Sequence, residues 1–175
     1  MYPCVFLDRD GVLNEERGEY TYKTLDFRIP EGVPEALKLL KERGYRIVVI
    51  TNQSGISKGI YAREQMESCH ALLQEKTNHI IDDFYYSPYH PEITESLSRK
   101  PGTLLFERAI AKFSIDISNS WMIGDGERDM IPARKLGINT LFIGYPSKYP
   151  FAKRYAGDVH EAARIIIEQT SPVKC

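Results

Sequence analysis

Short apolar runs alternate along the chain with longer segments in which apolar residues recur every three or four positions. That alternation points to β-α-β units around a parallel sheet. Val5-Phe6-Leu7 predicts a first strand that ends at Asp8. Val33, Leu37 and Leu40 fall on one helical face, Pro34 suits a first helical turn and Gly44 suits a stop. A strand is expected at Arg46–Thr51, a helix from Ala62 to about Thr77 and a strand at Asp83–Ser87. Three prolines between Pro88 and Gly102 mark a long ordered loop. Helical spacing returns over Thr103–Phe113, and Trp121–Ile123 predicts a buried strand ending at Gly124-Asp125. A helix over Met130–Leu136 with Gly137 as its stop, a strand over Thr140–Ile143 and an amphipathic helix over His160–Gln169 complete the pattern. The last six residues read as a tail. The expectation is an α/β protein, a Rossmann-like three-layer α/β/α sandwich with a central, mostly parallel sheet and no separate cap domain.

Length supports one domain over 1–175, with a core at about 4–143, since 175 residues leave no room for a second large unit. Hydrophobic residues make up 42% and charged residues 27%, the balance of a globular chain with a full core rather than a disordered one. Lys and Arg total 23 against 24 Asp and Glu, a net charge of −1 that speaks against nucleic acid or a membrane surface as a partner. No apolar run reaches the roughly 20 residues of a membrane span, and Met1-Tyr2-Pro3-Cys4 lacks a basic leader, so a cytoplasmic protein is expected. Cys4, Cys69 and Cys175 form no CxxC pair and read as free thiols. No long unpaired apolar face is evident, which makes a monomer the default.

The position of the polar residues changes the picture. Asp8, Thr51 and Asp125 each stand at or just past the carboxyl end of a predicted strand, where open parallel sheets bind their ligands. In Asp8-Arg9-Asp10-Gly11 a chain turning at the glycine can aim both carboxylates into one crevice, one staying ionised and the other shuttling a proton; alone, the same four residues are equally a plain turn. Asp125 adds a third carboxylate, and three acidic groups call for a hard cation such as Mg²⁺. Thr51-Asn52-Gln53-Ser54-Gly55 offers a hydroxyl and backbone amides to an anion. Arg99-Lys100-Pro101 brings a point charge and a forked guanidinium. Asp129, four residues after Asp125, can meet Lys100 or metal-bound water, or simply complement a helix dipole.

In their order, Asp8-Arg9-Asp10-Gly11, Thr51, Lys100 and Asp125 with Asp129 resemble the four motifs of the haloacid dehalogenase-like phosphatase superfamily, over residues 4 to 143. More narrowly, Phe6–Asn14, Thr51–Ile56, Tyr85-Tyr86 and Arg99–Gly102 resemble its branch of heptose-bisphosphate and histidinol-phosphate phosphatases. The resemblance implies that Asp8 attacks phosphorus to give an aspartyl-phosphate and that Asp10 protonates the leaving alkoxide and then activates water. It implies Mg²⁺ on the Asp8 carboxylate, the Asp10 backbone carbonyl and Asp125, with Asp129 behind them, and phosphoryl stabilisation by Thr51 and Lys100. Glu16, Arg17, Gly18, Tyr20, Asn52, Gln53, Ser54 and Arg99 would surround a small sugar phosphate. The expected reaction is hydrolysis of the 7-phosphate of heptose 1,7-bisphosphate in nucleotide-heptose synthesis for surface glycans. Histidinol phosphate or another small sugar phosphate as substrate, and a non-catalytic phosphate-binding role, are the alternatives.

One departure from that branch stands out. Many relatives bind Zn²⁺ before the Arg-Lys-Pro segment through a Cys-x-His and a Cys-x-Cys pair, and the matching positions here are Ser87, Tyr89, Ser96 and Ser98. None is a good zinc ligand, and His90 stands alone, so no zinc is expected. Packing by Pro88, Tyr89 and Pro91, with hydrogen bonds, must order the loop instead.

Overall fold

The structure is a computed structural model, and it describes residues 1–169; the expected tail and Cys175 lie outside the described residues. Eleven regular elements follow in chain order. They are β1 (Cys4–Leu7), α1 (Gly32–Glu42), β2 (Arg46–Asn52), α2 (Arg63–Lys76), β3 (Asp83–Ser87), α3 (Leu104–Phe113), β4 (Trp121–Gly124), α4 (Glu127–Lys135), β5 (Asn139–Ile143), β6 (Tyr155–Ala156) and α5 (Val159–Gln169). The strands form one sheet in the order β3-β2-β1-β4-β5-β6, and every strand pair is parallel.

Side-chain alternation along β1 explains the layers. Val5 and Leu7 face one side, joining Ile47, Val49 and the apolar stripes of α1 and α5; Cys4 and Phe6 face the other, joining Val48, Ile50, Phe106, Met122 and Met130. Both faces are therefore covered, which is why the strands read as continuous apolar runs rather than alternating ones. In this strand order the connection direction reverses between β1 and β4, and the crevice outside their carboxyl ends is the place where such sheets bind ligands.

Two expectations need correction. The helix expected at Met130–Leu136 starts three residues earlier, at Glu127, because the carboxylate of Asp129 turns back to accept a hydrogen bond from the Gly126 N–H at 3.1 Å and so caps the first turn. β6, a two-residue edge strand, was not expected; it pairs Phe142 and Ile143 with Tyr155 and Ala156. No helix among the described residues is long and apolar enough to cross a membrane.

His70 on α2 is buried, stacks on Phe84 with ring centroids 4.4 Å apart, and leaves Nε2 without a hydrogen-bond partner. Burial, aided by the charge of Arg9, lowers its pKa from 6.5 to about 3. The unfolded chain therefore binds more protons than the folded one between about pH 6.5 and 3, so stability falls as pH drops through that window, by at most about 1.4 kcal/mol per pH unit. His70→Phe keeps an aromatic ring there without a titrating group. Its Tm should fall less between pH 7 and pH 5 than the wild-type Tm; equal slopes would place the acid sensitivity elsewhere.

Candidate active site

The nucleus of the site is the turn that follows β1. Arg9 carbonyl oxygen accepts the N–H groups of Val12, Leu13 and Asn14, and Gly11 N–H donates to Asn14 oxygen at 2.8 Å. Gly11 has φ +80°, and a Cβ there would stand 2.5 Å from Asp125 Oδ2. Only glycine lets the turn form and lets Asp125, the residue after β4, come so close to it.

The two carboxylates of the turn sit in different surroundings. Asp8 is 2% exposed; its Oδ1 accepts the Arg9 N–H at 2.7 Å and lies 3.0 Å from Lys100 Nζ, while Arg128 approaches Oδ2 at 3.6 Å. Burial alone would raise the Asp8 pKa, but the charges of Lys100 and Arg128 and the hydrogen bonds at Oδ1 outweigh it and hold the carboxyl below its ordinary value. Asp10 is more accessible. Its Oδ1 accepts Arg9 Nη2 at 3.0 Å and Asn14 Nδ2 at 3.1 Å, and its Oδ2 accepts Gln53 Nε2 at 3.0 Å.

β2 and the loop after it supply the next wall. Gln53 Nε2 also donates to Thr51 Oγ1 at 2.9 Å, and Tyr61 hydroxyl donates to Gln53 Oε1 at 2.7 Å, so this amide has a fixed orientation. Asn52 pairs through both ends of its amide with the backbone of Lys100, at 3.0 and 3.1 Å. That clamp delivers Lys100 Nζ to three acceptors, Ile50 oxygen at 2.7 Å, Asp129 Oδ1 at 2.6 Å and Asp8 Oδ1 at 3.0 Å. The ammonium donates a hydrogen bond to the Ile50 carbonyl and is ion-paired with both carboxylates. Burial works against the Lys100 charge, yet Asp129 and Asp8 raise its pKa. Burial and then the charge of Asp8 push the Asp129 carboxyl up, to about 7.

Asp8, Asp125 and Asp129 bring ligand oxygens within 4.8 Å of one another. Asp125 Oδ1 is buried without a hydrogen-bond partner, and burial together with Asp8 raises the Asp125 pKa. A cluster of oxygen donors with an unpartnered buried carboxylate oxygen fits a hard divalent cation. The loop before Arg99 does not fit zinc. Ser98 hydroxyl donates to Ser87 Oγ at 3.0 Å and sits 2.8 Å from Ser96 Oγ, so three of the four positions hold a chain of hydroxyls; Tyr89 contributes its carbonyl to Arg99 Nη1 at 3.0 Å.

A cavity of about 220 Å³ opens beside these groups, walled by Asp8, Asp10, Glu16, Tyr20, Thr51, Asn52, Gln53, Ser54 and Arg99. Two residues expected there are elsewhere. Arg17 does not line the cavity and pairs with Glu19 at 2.8 Å and Asp26 at 3.3 Å, and Gly18 is exposed, its N–H donating to Glu16 Oε1. Lys100 and Asp125 lie outside the cavity lining, Lys100 reaching it through its ion pair with Asp8 and the Asn52 clamp on its backbone. Arg9, Glu19, Thr21 and Arg128 line the cavity without having been expected. Spacing marks none of them, because a long or loop-borne side chain reaches its destination only through the tertiary fold.

An open parallel sheet with three carboxylates and a saturated buried lysine at its switch point defines an enzyme built for polar group transfer. Comparison with known proteins makes the assignment specific. A family model described as haloacid dehalogenase-like hydrolase matches residues 2–137, and the chain belongs to that family. A protein of Haemophilus ducreyi named D-glycero-beta-D-manno-heptose-1,7-bisphosphate 7-phosphatase is 38% identical over 146 residues, 78% of this chain and 80% of the relative. A Helicobacter pylori protein of the same name is 35% identical and covers 93% of this chain and 96% of its own. A Photorhabdus laumondii relative named for the alpha anomer is 36% identical, covering 83% and 85%. Among solved structures, D,D-heptose 1,7-bisphosphate phosphatase from B. bronchiseptica, complexed with magnesium and phosphate, superposes with a TM-score of 0.87 at 21% identity, over 96% of this chain and 99% of that one.

Proposed function

We propose that the chain is a Mg²⁺-dependent phosphomonoesterase that removes the 7-phosphate of D-glycero-D-manno-heptose 1,7-bisphosphate, as a monomeric, single-domain enzyme of the cytoplasm. The observation that carries this reading is the unequal setting of two carboxylates two residues apart. Asp8 is buried and held ionised by Lys100, as a nucleophile requires, while Asp10 is accessible and steadied by three donors, as a proton carrier requires. An Asp8 oxygen bonds to phosphorus as the bond to the sugar oxygen breaks, and Asp10 gives that oxygen its proton. Asp10 then takes a proton from water, which attacks the aspartyl-phosphate and releases phosphate and Asp8. Thr51 and Lys100 supply hydroxyl and charge to the phosphoryl group and to Asp8. The Asp8 carboxylate, the Asp10 backbone carbonyl and Asp125 would hold Mg²⁺, with Asp129 behind them; the ion supplies positive charge to the phosphoryl oxygens.

A substrate with two phosphates is favoured by the charges around the cavity. Arg9 is occupied by Asp10, and Lys100 by Asp8 and Asp129. Arg99, whose hydrogen bond goes to a neutral carbonyl, remains for a second anion; Arg128 lines the same cavity but already faces Asp8 at 3.6 Å and Asp125 at 3.7 Å. Glu16, Tyr20, Asn52, Gln53 and Ser54 wall the sugar; Arg17 and Gly18 act only through the fold of their loop. The test is kcat/KM with Mg²⁺ for the α and β heptose 1,7-bisphosphates and for histidinol phosphate. A strong preference for one heptose anomer is expected. Equal weak rates on all three would discard the substrate and keep the chemistry.

A further inference from the structure

Arg9 is the largest side chain that the fold buries completely, and it is buried beside a carboxylate that must move protons. Its exposure is 1%. Nη2 donates to Asp10 Oδ1 at 3.0 Å and to the carbonyl oxygen of Thr21 at 2.8 Å. The guanidinium lies 5.4 Å from the ring centre of Phe27. Nε and Nη1 have no hydrogen-bond partner. A buried guanidinium with two unsatisfied nitrogens is an expensive way to fill a core, and an apolar side chain of similar volume would often be at least as stabilising. What the arginine provides, and an apolar residue could not, is the fork at Nη2. One arm holds Asp10. The other holds Thr21, in the segment that carries Glu16 and Tyr20 to the cavity wall.

We propose that Arg9 is a positioning residue: its guanidinium ties the Asp10 carboxylate to the Thr21 carbonyl and so fixes the proton carrier relative to the loop that walls the substrate. The inference rests on the reading of Asp10 as acid and base. Asn14 and Gln53 also hold Asp10, Gln53 from the β2 loop and Asn14 from the β1 turn with a second bond to the adjacent Glu15 carbonyl at 3.1 Å; Arg9 is the donor that reaches across to the far end of the first loop, at Thr21. Misplacing the carboxylate should therefore hurt the step in which it protonates an alkoxide, and leave alone a step that needs no proton.

The experiment compares two leaving groups on the Mg²⁺-loaded enzyme. Heptose 1,7-bisphosphate must release an alkoxide, whereas p-nitrophenyl phosphate releases a phenolate that is stable unprotonated. For Arg9→Met the expected result is a kcat on the sugar bisphosphate lowered by about 10- to 100-fold at nearly constant KM. The first-turnover burst of p-nitrophenolate should change by less than about threefold, because that step needs no acid. Arg9→Lys keeps the charge, but its shorter side chain stops short of the Nη2 position from which both acceptors are held, so it should show the same selective loss, smaller; it carries the comparison if the methionine variant does not fold. Asp10→Asn should give the same pattern, larger. Equal slowing on both substrates, or a lowered Tm with unchanged kcat on the sugar bisphosphate, would reduce Arg9 to a structural residue and overturn the proposal while leaving the phosphatase reading intact. Absence of Asp8-dependent turnover in the wild type would overturn both.

Discussion

Asp8→Asn should leave no measurable turnover of any phosphomonoester, a loss larger than the roughly 10²- to 10⁴-fold that a proton carrier contributes, because on the proposed mechanism every turnover passes through a bond from this carboxylate to phosphorus. The geometry explains why an isosteric amide cannot substitute. One Asp8 oxygen is committed to the Arg9 N–H and to Lys100, and the other is approached only by Arg128 at 3.6 Å, so a single oxygen is free to attack. Asparagine replaces a charged oxygen by a neutral one or by an NH₂ group, and it removes half of the pair that holds the Lys100 charge. Folding should survive, since Lys100 retains Asp129 at 2.6 Å and Ile50 oxygen at 2.7 Å. Rapid quenching of a reaction with ³²P-labelled substrate should show hydroxylamine-labile label on the wild-type chain and none on the variant. A variant that still turned over at a few per cent of the wild-type rate would remove Asp8 from the role of nucleophile.

Much of this centre was legible in the sequence because it lies where strands end. Val5–Leu7, Arg46–Thr51 and Trp121–Ile123 are apolar runs bounded by a polar residue, and in a parallel sheet such boundaries converge in space whatever their separation along the chain. Asp8, Thr51 and Asp125 were legible for that reason. The start of α4 was not, since Gly126, Glu127 and Arg128 form no apolar stripe and the cap comes from Asp129 reaching backwards rather than from a side chain at the start. Arg17 illustrates the opposite failure. The family resemblance implies a substrate contact for it, but Glu19 and Asp26 hold it off the cavity lining, a choice between equally reachable acceptors that only the folded loop decides. Arg9 and Arg128 differ again: nothing in their spacing distinguishes them from solvated surface arginines, and their meaning comes from what burial and neighbours make of a long cationic chain.

Lys100→Met should lose stability and catalysis together, and the two losses should be separable. The Lys100 side chain is fully buried, with Asp8 and Asp129 nearly as inaccessible. Removing it strands two carboxylates and the Ile50 carbonyl, and breaking a buried pair in this way costs about 3–5 kcal/mol. For a chain of this size that corresponds to a Tm lower by roughly 6–20 °C. Turnover should fall by about 10²- to 10³-fold in the protein that remains folded, the usual effect of deleting one positioned charge from a transition state. Asp129→Leu added to Lys100→Met removes one of the two stranded carboxylates. Because a buried ion pair replaced by apolar side chains is often neutral or better, the double variant should regain part of the lost Tm, the rest being withheld by Asp8, still stranded, and by loss of the Asp129 cap on the Gly126 N–H. It should regain no activity, since Asp8 would still lack the cation that keeps it ionised against its burial. Thermal melts and kcat measured on the same preparations check both halves. A double variant that recovered turnover along with stability would mean that Lys100 serves the fold alone, and that the charge needed at Asp8 comes from elsewhere, with Arg128 at 3.6 Å the nearest remaining source.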